Sequence, residues 1–224
     1  MKQQTTPAII LRRTNYGEAD RIVTFLTPIG KIRAMVKGVR RSKSKLAGGI
    51  ELFSESTVTF LETRGDLARV VSTRLETHWD PIIGDLQRMM FGYEAMKMLV
   101  KIIEDEAGRE YFDLLRATLD ALADLELPLV AVELWFYMRL LKLQGKEPNL
   151  TTDQNGATLT PDSLYTFSTD TMSFASSVAG NFTPDHIKLL RLTQSHAPKL
   201  LKQVKNIQNL AEDLKPLIQQ LTTL

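Results

Sequence analysis

The chain has 224 residues, 43% hydrophobic and 24% charged, which is a globular composition long enough for one large domain or two small ones. It contains no cysteine, so disulfides, thiol nucleophiles and cysteine-ligated zinc or iron–sulfur centres are excluded. The net charge of +2 conceals 14 Lys and Arg against 8 Asp and Glu in residues 1–80, an asymmetry that predicts a polyanion-binding N-terminal part.

The first residues, MKQQTTPAIILRR, hold one lysine and a short apolar run that stops at Arg12. This pattern lacks the apolar stretch and the small-residue cleavage site of a signal peptide. No segment of the sequence approaches the roughly 18 apolar residues that a membrane span requires. We therefore expect a soluble, cytoplasmic protein without a membrane partner.

Residues 7 to 76 show short runs of β-forming residues separated by turn formers, with no helical period sustained over three turns. Five strands are predicted, at about 7–14, 20–27, 31–37, 56–62 and 67–75. Five short strands in a segment of this length suit a small closed barrel such as the OB-fold.

Beyond Pro81 the apolar residues recur at three- and four-residue spacings, which indicates amphipathic helices around a shared core. The third long helix is predicted to begin at Pro128 and to end before Gly145, and it is apolar on nearly all sides. Residues 149–183 are rich in Thr, Ser, Asp, Asn and Gly, which predicts a loop or a small hairpin. Helical signals resume at residues 183–185. A last helix is predicted after Pro198, with an apolar stripe of Leu200, Val204, Ile207, Leu210 and Leu214.

The predicted fold class is therefore α+β, with an N-terminal five-stranded OB-fold β-barrel followed by an all-helical domain that carries a small metal-free excursion. The predicted domains are the barrel at 1–78, a helical bundle at 79–148, the excursion at 149–183, and C-terminal helices packing on the bundle at 184–224.

The segment KIRAMVKGVRRSKSK, residues 31–45, holds seven cations and no acid. Strand alternation would send its first cations to one face while Ile32, Ala34 and Val36 enter the core. The polar stretch that follows is expected to be mobile and to drape its charges over a phosphate backbone, with salt-dependent and sequence-indifferent binding. A merely solvated charged loop is the alternative. The predicted DNA-binding residues are Lys31, Arg33, Lys37, Arg40, Arg41, Lys43 and Lys45, with Arg12, Arg64, Arg69 and Arg74 as candidates to extend the patch.

A second basic run lies near the C-terminus, with no acid from His186 through Ala211. Its last three lysines recur every three residues, along one side of the predicted last helix. Such a face is able to hold DNA or an acidic peptide beside apolar residues, although a solvated helix face explains the pattern at least as well. The candidates are Lys188, Arg191, Lys199, Lys202 and Lys205.

Catalytic and metal-binding patterns are poor. His186 and His196 are ten residues apart, which is not a ligand-pair spacing. The acidic residues Glu104, Asp105 and Glu106 are consecutive, so on a helix they point in different directions. The glycines form neither a phosphate-binding loop nor a dinucleotide-binding motif. An enzyme is therefore the least expected class, and no cofactor is predicted.

Five linked pieces of sequence, in order, resemble the N-terminal signature of the RecO family: YGEADRIV at 16–23, LTP at 26–28, GKIR at 30–33, KGVRRSKS at 37–44 and LAG at 46–48. The resemblance covers residues 7–76 well, and the helical part through residue 148 is similar in layout. It implies an OB-fold and a helical domain in a DNA repair and recombination mediator of the RecF-pathway type.

By the same resemblance, the protein would bind single- and double-stranded DNA, anneal complementary strands and help to load recombinase on coated DNA at the nucleoid. The implied partners are a RecR-like protein, the acidic C-terminal tail of the single-stranded-DNA-binding protein (SSB) and, indirectly, RecA. The basic residues of the barrel are where the family binds DNA.

Many members of that family carry a four-cysteine zinc element after the third long helix. The corresponding positions here fall near Thr152, Asn155, Ser176 and Ala179, none of which replaces a zinc thiolate. We expect the excursion to keep its hairpin shape through Tyr165, Phe167 and Phe174 instead of a metal.

Two other functions remain open from the residues alone. An RNA-binding OB protein would need stacking aromatics on the barrel face. The aromatics available there are Tyr16, Phe25, Phe53 and Phe60, at least two of which we expect in the core. A helical scaffold that binds protein alone would make the basic segment incidental.

Overall fold

A computed structural model of the chain describes residues 2–63, 65–103 and 108–222. The chain divides into two compact units, Met1–Ala123 and Asp124–Leu224. Within the described ranges, no helix combines the length and apolar character that crossing a bilayer demands. The predicted four-part division by residue range stays a prediction.

The first unit opens with a closed five-stranded barrel. Its strands are β1 (Gln3–Tyr16), β2 (Asp20–Thr27), β3 (Gly30–Val36), β4 (Ser54–Leu61) and β5 (Ala68–His78). They close in the order β1-β2-β3-β5-β4, and all neighbours are antiparallel except β3 and β5, which pair in parallel at Ala34–Ala68 and Met35–Arg69. The predicted α+β class with an N-terminal OB-fold barrel is confirmed.

The strand β1 is longer than predicted because its first half closes the barrel. Gln3 to Thr6 pair with Leu61 to Val58 of β4, and the second half of β1 pairs with β2. The predicted alternation of β3 is also confirmed, since Ala34 and Val36 enter the core, Ile32 packs against it and Arg33 is exposed. The core residues of the barrel are Ala8, Ile10, Val23, Phe25, Ala34, Val36, Val39, Ile50, Val58, Phe60 and Val70.

Three helices complete the first unit: α1 (Asp80–Ile83), α2 (Leu86–Ile102) and α3 (Arg109–Ala123). The Asp85 side chain caps α2 by accepting hydrogen bonds from the backbone amides of Gln87 and Arg88. The buried Arg88 guanidinium donates to the Leu122 carbonyl, 3.0 Å away, and so ties α2 to the end of α3. The predicted acidic cluster at residues 104–106 lies outside the described residues.

The second unit contains α4 (Leu129–Leu143), α5 (Pro184–Ser195) and α6 (Ile207–Thr222), with a 3₁₀ turn at Pro198–Gln203. The apolar helix predicted from Pro128 is α4. Its few polar side chains donate hydrogen bonds to backbone carbonyls at the C-terminal end of α5. Arg139 and Lys142 both donate to the Gln194 carbonyl, and the Trp135 indole donates to the His196 carbonyl at 2.8 Å. Cations and donors compensate the exposed carbonyls at a helix end.

The last helix was placed too early by the sequence pattern. Leu200 and Val204 belong to the 3₁₀ turn and the loop after it, and α6 begins at Ile207. The reason lies at Asn206, whose left-handed backbone (φ 57°) interrupts the helical path. A three-residue repeat fits a 3₁₀ turn as well as an α-helix, so periodicity alone did not separate the two.

The excursion is more ordered than a hairpin. Its strands β6 (Asn149–Asp153), β7 (Tyr165–Ser168) and β8 (Ser173–Ser176) form a sheet in the order β6-β8-β7. The ring of Phe174 lies at its centre, with edge-to-face contacts to Tyr165, Phe167 and Phe182 at centroid distances of 5.0 to 6.4 Å. Aromatic contacts of this kind stabilise a small sheet that has little other core.

Candidate nucleic-acid interface

The candidate surface is the outer face of β1, β2 and β3, and strand register builds it. Arg12 pairs with Thr24, and Thr24 pairs with Arg33. Because the neighbouring residues Val23 and Phe25 enter the core, Thr24 points outward, and its two partners point outward with it. Two exposed arginines from distant sequence positions therefore flank one threonine in a single cross-strand row.

A second row further along the strands is apolar. It consists of Thr14, Ile22 and Met35, of which Ile22 and Met35 are half-buried. Beyond it, Tyr16 pairs with Asp20 at the end of the hairpin, and Lys37 follows β3. The outer face thus presents cations, then an apolar strip, then an exposed tyrosine beside a lysine.

On its other side, this face ends at the row Ile9, Leu26 and Lys31. Ile9 and Leu26 are fully buried, and the Lys31 ammonium donates to the Ile103 carbonyl at 2.6 Å and to the Val100 carbonyl at 3.4 Å. Lys31 therefore compensates the carbonyl end of α2. Of the seven predicted DNA-binding cations, it is the one most committed to an internal contact.

The basic loop, residues 37–46, continues the face beyond β3. It is a series of hydrogen-bonded turns, with the Arg41 amide donating to the Gly38 carbonyl and the Ser44 amide to the Arg41 carbonyl. Val39 is buried in the barrel core, and the Gly38 amide donates to Asp20 Oδ1 at 2.7 Å. This stretch is anchored at its start, with Gly38 in a left-handed conformation (φ 64°) that few other residues adopt, and its mobility stays a prediction.

The cations of the basic loop project from this anchored base. Arg40 bridges to the β1–β2 hairpin, since its amide donates to the Ala19 carbonyl and its guanidinium to the Gly17 carbonyl at 3.1 Å. Arg41, Lys43 and Lys45 are exposed. The loop thus sets cations beside the same hairpin that carries Tyr16.

The remaining predicted members of the patch lie elsewhere on the barrel or outside the description. Arg69 is exposed on β5, where it pairs with Met35 of β3. Arg74 bonds to Glu76 at 2.7 Å, and the hydrogen bond from Thr57, followed by this contact with Arg74, lowers the pKa of the Glu76 carboxyl. Arg64 lies outside the described residues.

An ion pair within the first unit connects the barrel to α3. Glu55 of β4 is 5% exposed, and its Oε2 lies 2.9 Å from Nε of Arg116. Burial raises the pKa of the Glu55 carboxyl, Arg116 opposes that effect, and the charges of Asp120 and Glu76 add to it. Because Glu55 is buried and pairs with α3, it contributes to the structure that supports the barrel and not to the exposed basic surface.

The second basic set is dispersed in the structure. Lys188 and Arg191 of α5 line a small cavity of about 90 Å³, but Lys188 pairs with Asp185 and Arg191 donates to the Leu150 carbonyl. Lys199 and Lys202 lie on the 3₁₀ turn, while Lys205 lies in the loop before α6. The other cavity residues are Leu159, Thr160, Pro161, Pro184 and Ile187.

Lys202 is the member of this set least able to hold an external anion. Its ammonium lies 2.6 Å from Asp124 and 2.9 Å from Glu126, and hydrogen bonds to these carboxylates raise its pKa. Lys199 and Lys205 are exposed. The regular spacing seen in the sequence therefore does not become one continuous cationic face.

The residues of the excursion do not fit a zinc ion. Thr152, Asn155, Ser176 and Ala179, the residues expected near the zinc-element positions, supply no thiolate. The volume between the strands is filled by Phe174, which is fully buried. In the part of the chain that the structure describes, no group of three or more His, Asp or Glu is arranged to hold a metal ion.

The aromatic residues of the barrel divide into buried phenylalanines and one exposed tyrosine. Phe25, Phe53 and Phe60 are at most 2% exposed, whereas Tyr16 is 55% exposed. The expectation that at least two would be core residues is confirmed. A single exposed ring does not provide the row of stacking aromatics that the RNA-binding alternative needs.

Sequence reasoning missed the cross-strand row and the apolar strip beside it. The sequence predicts Arg12 only as a possible extension of the DNA-binding patch, and no sequence pattern joins Ile22 and Met35 to that patch. The outward position of Ile22 was visible in the alternation of β2, but the register that unites these residues depends on the β-bulge between Ile10 and Arg12.

Comparisons with known proteins agree with this architecture. Residues 1–77 match the sequence profile of the family described as "Recombination protein O N terminal", and residues 83–222 match that described as "Recombination protein O C terminal". The chain is 38% identical over 149 residues to DNA repair protein RecO of Roseiflexus sp. (strain RS-1), an alignment covering 65% of this chain and 51% of that protein.

Two further relatives are similar. DNA repair protein RecO of Desulfatibacillum aliphaticivorans is 32% identical over 154 residues, or 67% of this chain and 60% of that protein. The protein of the same name from Moorella thermoacetica (strain ATCC 39073 / JCM 9320) is 33% identical over 144 residues, or 63% of this chain and 53% of that protein. The matched part of the chain spans between about half and three fifths of the length of these curated relatives.

Proposed function

Because the chain belongs to the RecO family of DNA repair proteins, we propose that it acts in DNA repair and recombination by binding single- and double-stranded DNA on the outer face of β1–β3 and on the basic loop. The observation that carries this proposal is that the outer face of β1–β3 carries the Arg12–Thr24–Arg33 row and continues, past the apolar strip, into the exposed cations of the loop. Both sets are cationic and exposed, and both are attached to the closed barrel.

The proposed mechanism is electrostatic. Cations that neutralise phosphates release condensed counterions, so binding is tight at low salt and indifferent to sequence. With their phosphates neutralised, two complementary strands approach closely enough to pair, which is strand annealing. No bond is made or broken by the protein in this mechanism.

The test compares binding of labelled single-stranded DNA across a salt series for three proteins. The loop variant changes Arg41, Lys43 and Lys45 to Ser and keeps Arg40, which holds the hairpin. The matched control changes three exposed lysines outside the barrel, Lys97, Lys101 and Lys146, to Ser, so both variants have the same net charge.

The slope of log affinity against log salt should become shallower by about 2 in the loop variant, at roughly 0.7 for each lost phosphate contact. The control should keep the wild-type slope. Equal slopes for the loop variant and the wild type would contradict the proposed surface and favour the protein scaffold.

We also propose that the cavity beside Lys188 and Arg191 holds an acidic peptide, such as the C-terminal tail of SSB. Support comes from its composition, since Leu159, Pro161 and Ile187 give an apolar floor beside two cations. A fluorescent acidic peptide ending in an aromatic residue should bind the wild type more tightly than the Lys188→Ser, Arg191→Ser variant. The control is Lys199→Ser with Lys205→Ser, and equal loss in both pairs would contradict the cavity.

A RecR-like protein and, indirectly, RecA are proposed as further partners on the strength of the family alone. With them, the protein would help to load recombinase on SSB-coated single strands at the nucleoid. Annealing of complementary strands coated with SSB, measured with and without a RecR-like protein, tests this part.

A further inference from the structure

We propose that Tyr16 is a stacking platform for an unstacked nucleobase, which makes this surface favour single-stranded over duplex DNA. The inference rests on the proposed DNA-binding function and deepens it, because it assigns a base-binding position to a surface otherwise made of phosphate contacts.

The first argument is the exposure of the ring. Tyr16 is the last residue of β1, and it points outward with Thr14 and Arg12, which lie two and four positions earlier on the same strand face. The phenylalanines of the barrel are buried, but this ring leaves 55% of its surface in water. Aromatic rings on an OB-fold surface are the usual partners of unpaired bases, because every base has a face that stacks.

The second argument is the charge around the ring. The Arg40 guanidinium is fixed on the carbonyl of Gly17, the residue after Tyr16, and Lys37 follows β3 nearby. Of the two acids in this hairpin, Glu18 is exposed in the turn, and Asp20, which pairs with Tyr16, accepts a hydrogen bond from the Gly38 amide at 2.7 Å. A strand whose base lies on Tyr16 therefore has cations for its phosphates on the loop side.

The third argument is the spacing along the strands. Tyr16 lies four positions after Arg12 on β1, which is a distance of about 13 Å at the rise of a β-strand. Ile22 and Met35 lie between them, and both are half-buried. The face thus offers cations at both ends, an apolar strip in the middle and one ring.

A DNA duplex has no free base face that could stack on the Tyr16 ring. Its bases are stacked inside the helix, so its contacts with a barrel face go mainly to phosphates and sugars. A single strand has free base faces, and stacking on an aromatic side chain adds affinity without releasing counterions. Tyr16 should therefore contribute to single-strand affinity but not to its salt dependence.

The experiment measures binding of the full chain to a labelled single strand and to a duplex of the same length across a salt series. The variants are Tyr16→Thr, which removes the ring and keeps a β-forming residue, and Tyr16→Phe, which keeps the ring. We expect Tyr16→Thr to lose about ten-fold in single-strand affinity, with an unchanged salt slope and unchanged duplex binding. Tyr16→Phe should bind as the wild type does.

Unchanged single-strand affinity of Tyr16→Thr, or an equal loss on single strand and duplex, would overturn the inference while leaving the electrostatic proposal standing. A wild type that binds neither form would overturn both. As a measurement that does not depend on a variant, ultraviolet crosslinking of the wild type to a bromodeoxyuridine-containing single strand should give an adduct on Tyr16. Adducts confined to other residues would count against the stacking role.

Discussion

The two units both carry a sheet, helices and a run of cations, yet they use them differently. In the first unit, hydrogen-bonded closure fixes five strands, and register places Arg12 and Arg33 in one row. In the second unit, the sheet has three short strands with Phe174 at its centre, and cations such as Lys202 form ion pairs with acidic side chains. A run of like charges in a sequence therefore forms a cationic row only where the backbone aligns it.

The strongest test of this contrast is Phe174→Ala in the second unit. Removing a fully buried ring at the centre of the aromatic cluster should lower the free energy of unfolding by about 4 kcal/mol. Chemical denaturation of the full chain measures this change, and Val178→Ala, at a fully exposed position, is the control.

The same denaturation curves should be unaffected by zinc or by a chelator, because the chain has no cysteine and its described residues form no cluster of His, Asp or Glu that could hold a metal ion. A small effect of Phe174→Ala, or stabilisation of the wild type by zinc, would show that the sheet is held in another way.

A second test addresses the frame of the first unit. Arg116→Ala leaves the buried Glu55 carboxylate without its cation, which should cost about 2 kcal/mol of unfolding free energy. Arg109→Ala removes an exposed pair with Asp113 on the same helix and should cost less than about 0.5 kcal/mol. Equal costs for the two variants would mean that the Glu55 pair does not hold the barrel to α3.

A third test compares the cations of the two units directly. Changing Arg12 and Arg33 to Ser should weaken single-strand binding about ten-fold and make the salt slope shallower by about 1.4. Changing Lys199 and Lys205 of the second unit to Ser removes the same charge and should leave both quantities near the wild type. The reverse result would place the principal DNA surface in the second unit.

The smallest expected effect is on pH dependence. Since the pKa of Glu55 is raised, the folded chain binds more protons than the unfolded chain between pH 4.5 and that raised value. Unfolding free energy should therefore fall as pH rises through this window and level off above it.

Glu55→Gln should remove that slope. The lowered pKa of Glu76 acts below pH 4.5 and with the opposite sign, so stability is lost there as pH falls. Denaturation midpoints of both proteins from pH 4 upward measure the difference, and parallel curves would count against a buried, titrating Glu55.

Sequence patterns predicted the parts of the fold that depend on local periodicity. Alternation in β3, and the apolar run of α4, are properties of a few neighbouring residues. The basic segment was visible for the same reason. The beginning of α6 was not, because one left-handed residue, Asn206, decides it.

Sequence patterns also did not predict which cations make internal contacts and which face outward. Lys31 and Arg33 are two residues apart on one strand face, but the first caps α2 and the second faces outward. That difference arises from a helix about 70 residues further along the chain, which no local pattern reports.

The closure of the barrel by β1 also bears on how the protein is made. Ile9 pairs with Leu26 of β2 and with Glu55 of β4, so one strand near the N-terminus has to wait for a partner more than 40 residues downstream. During translation, the β1–β2–β3 meander is complete long before His78 leaves the ribosome. The nascent chain therefore exposes an open sheet edge and its cationic loop together until β4 and β5 have emerged, and closure is a non-local and comparatively slow step.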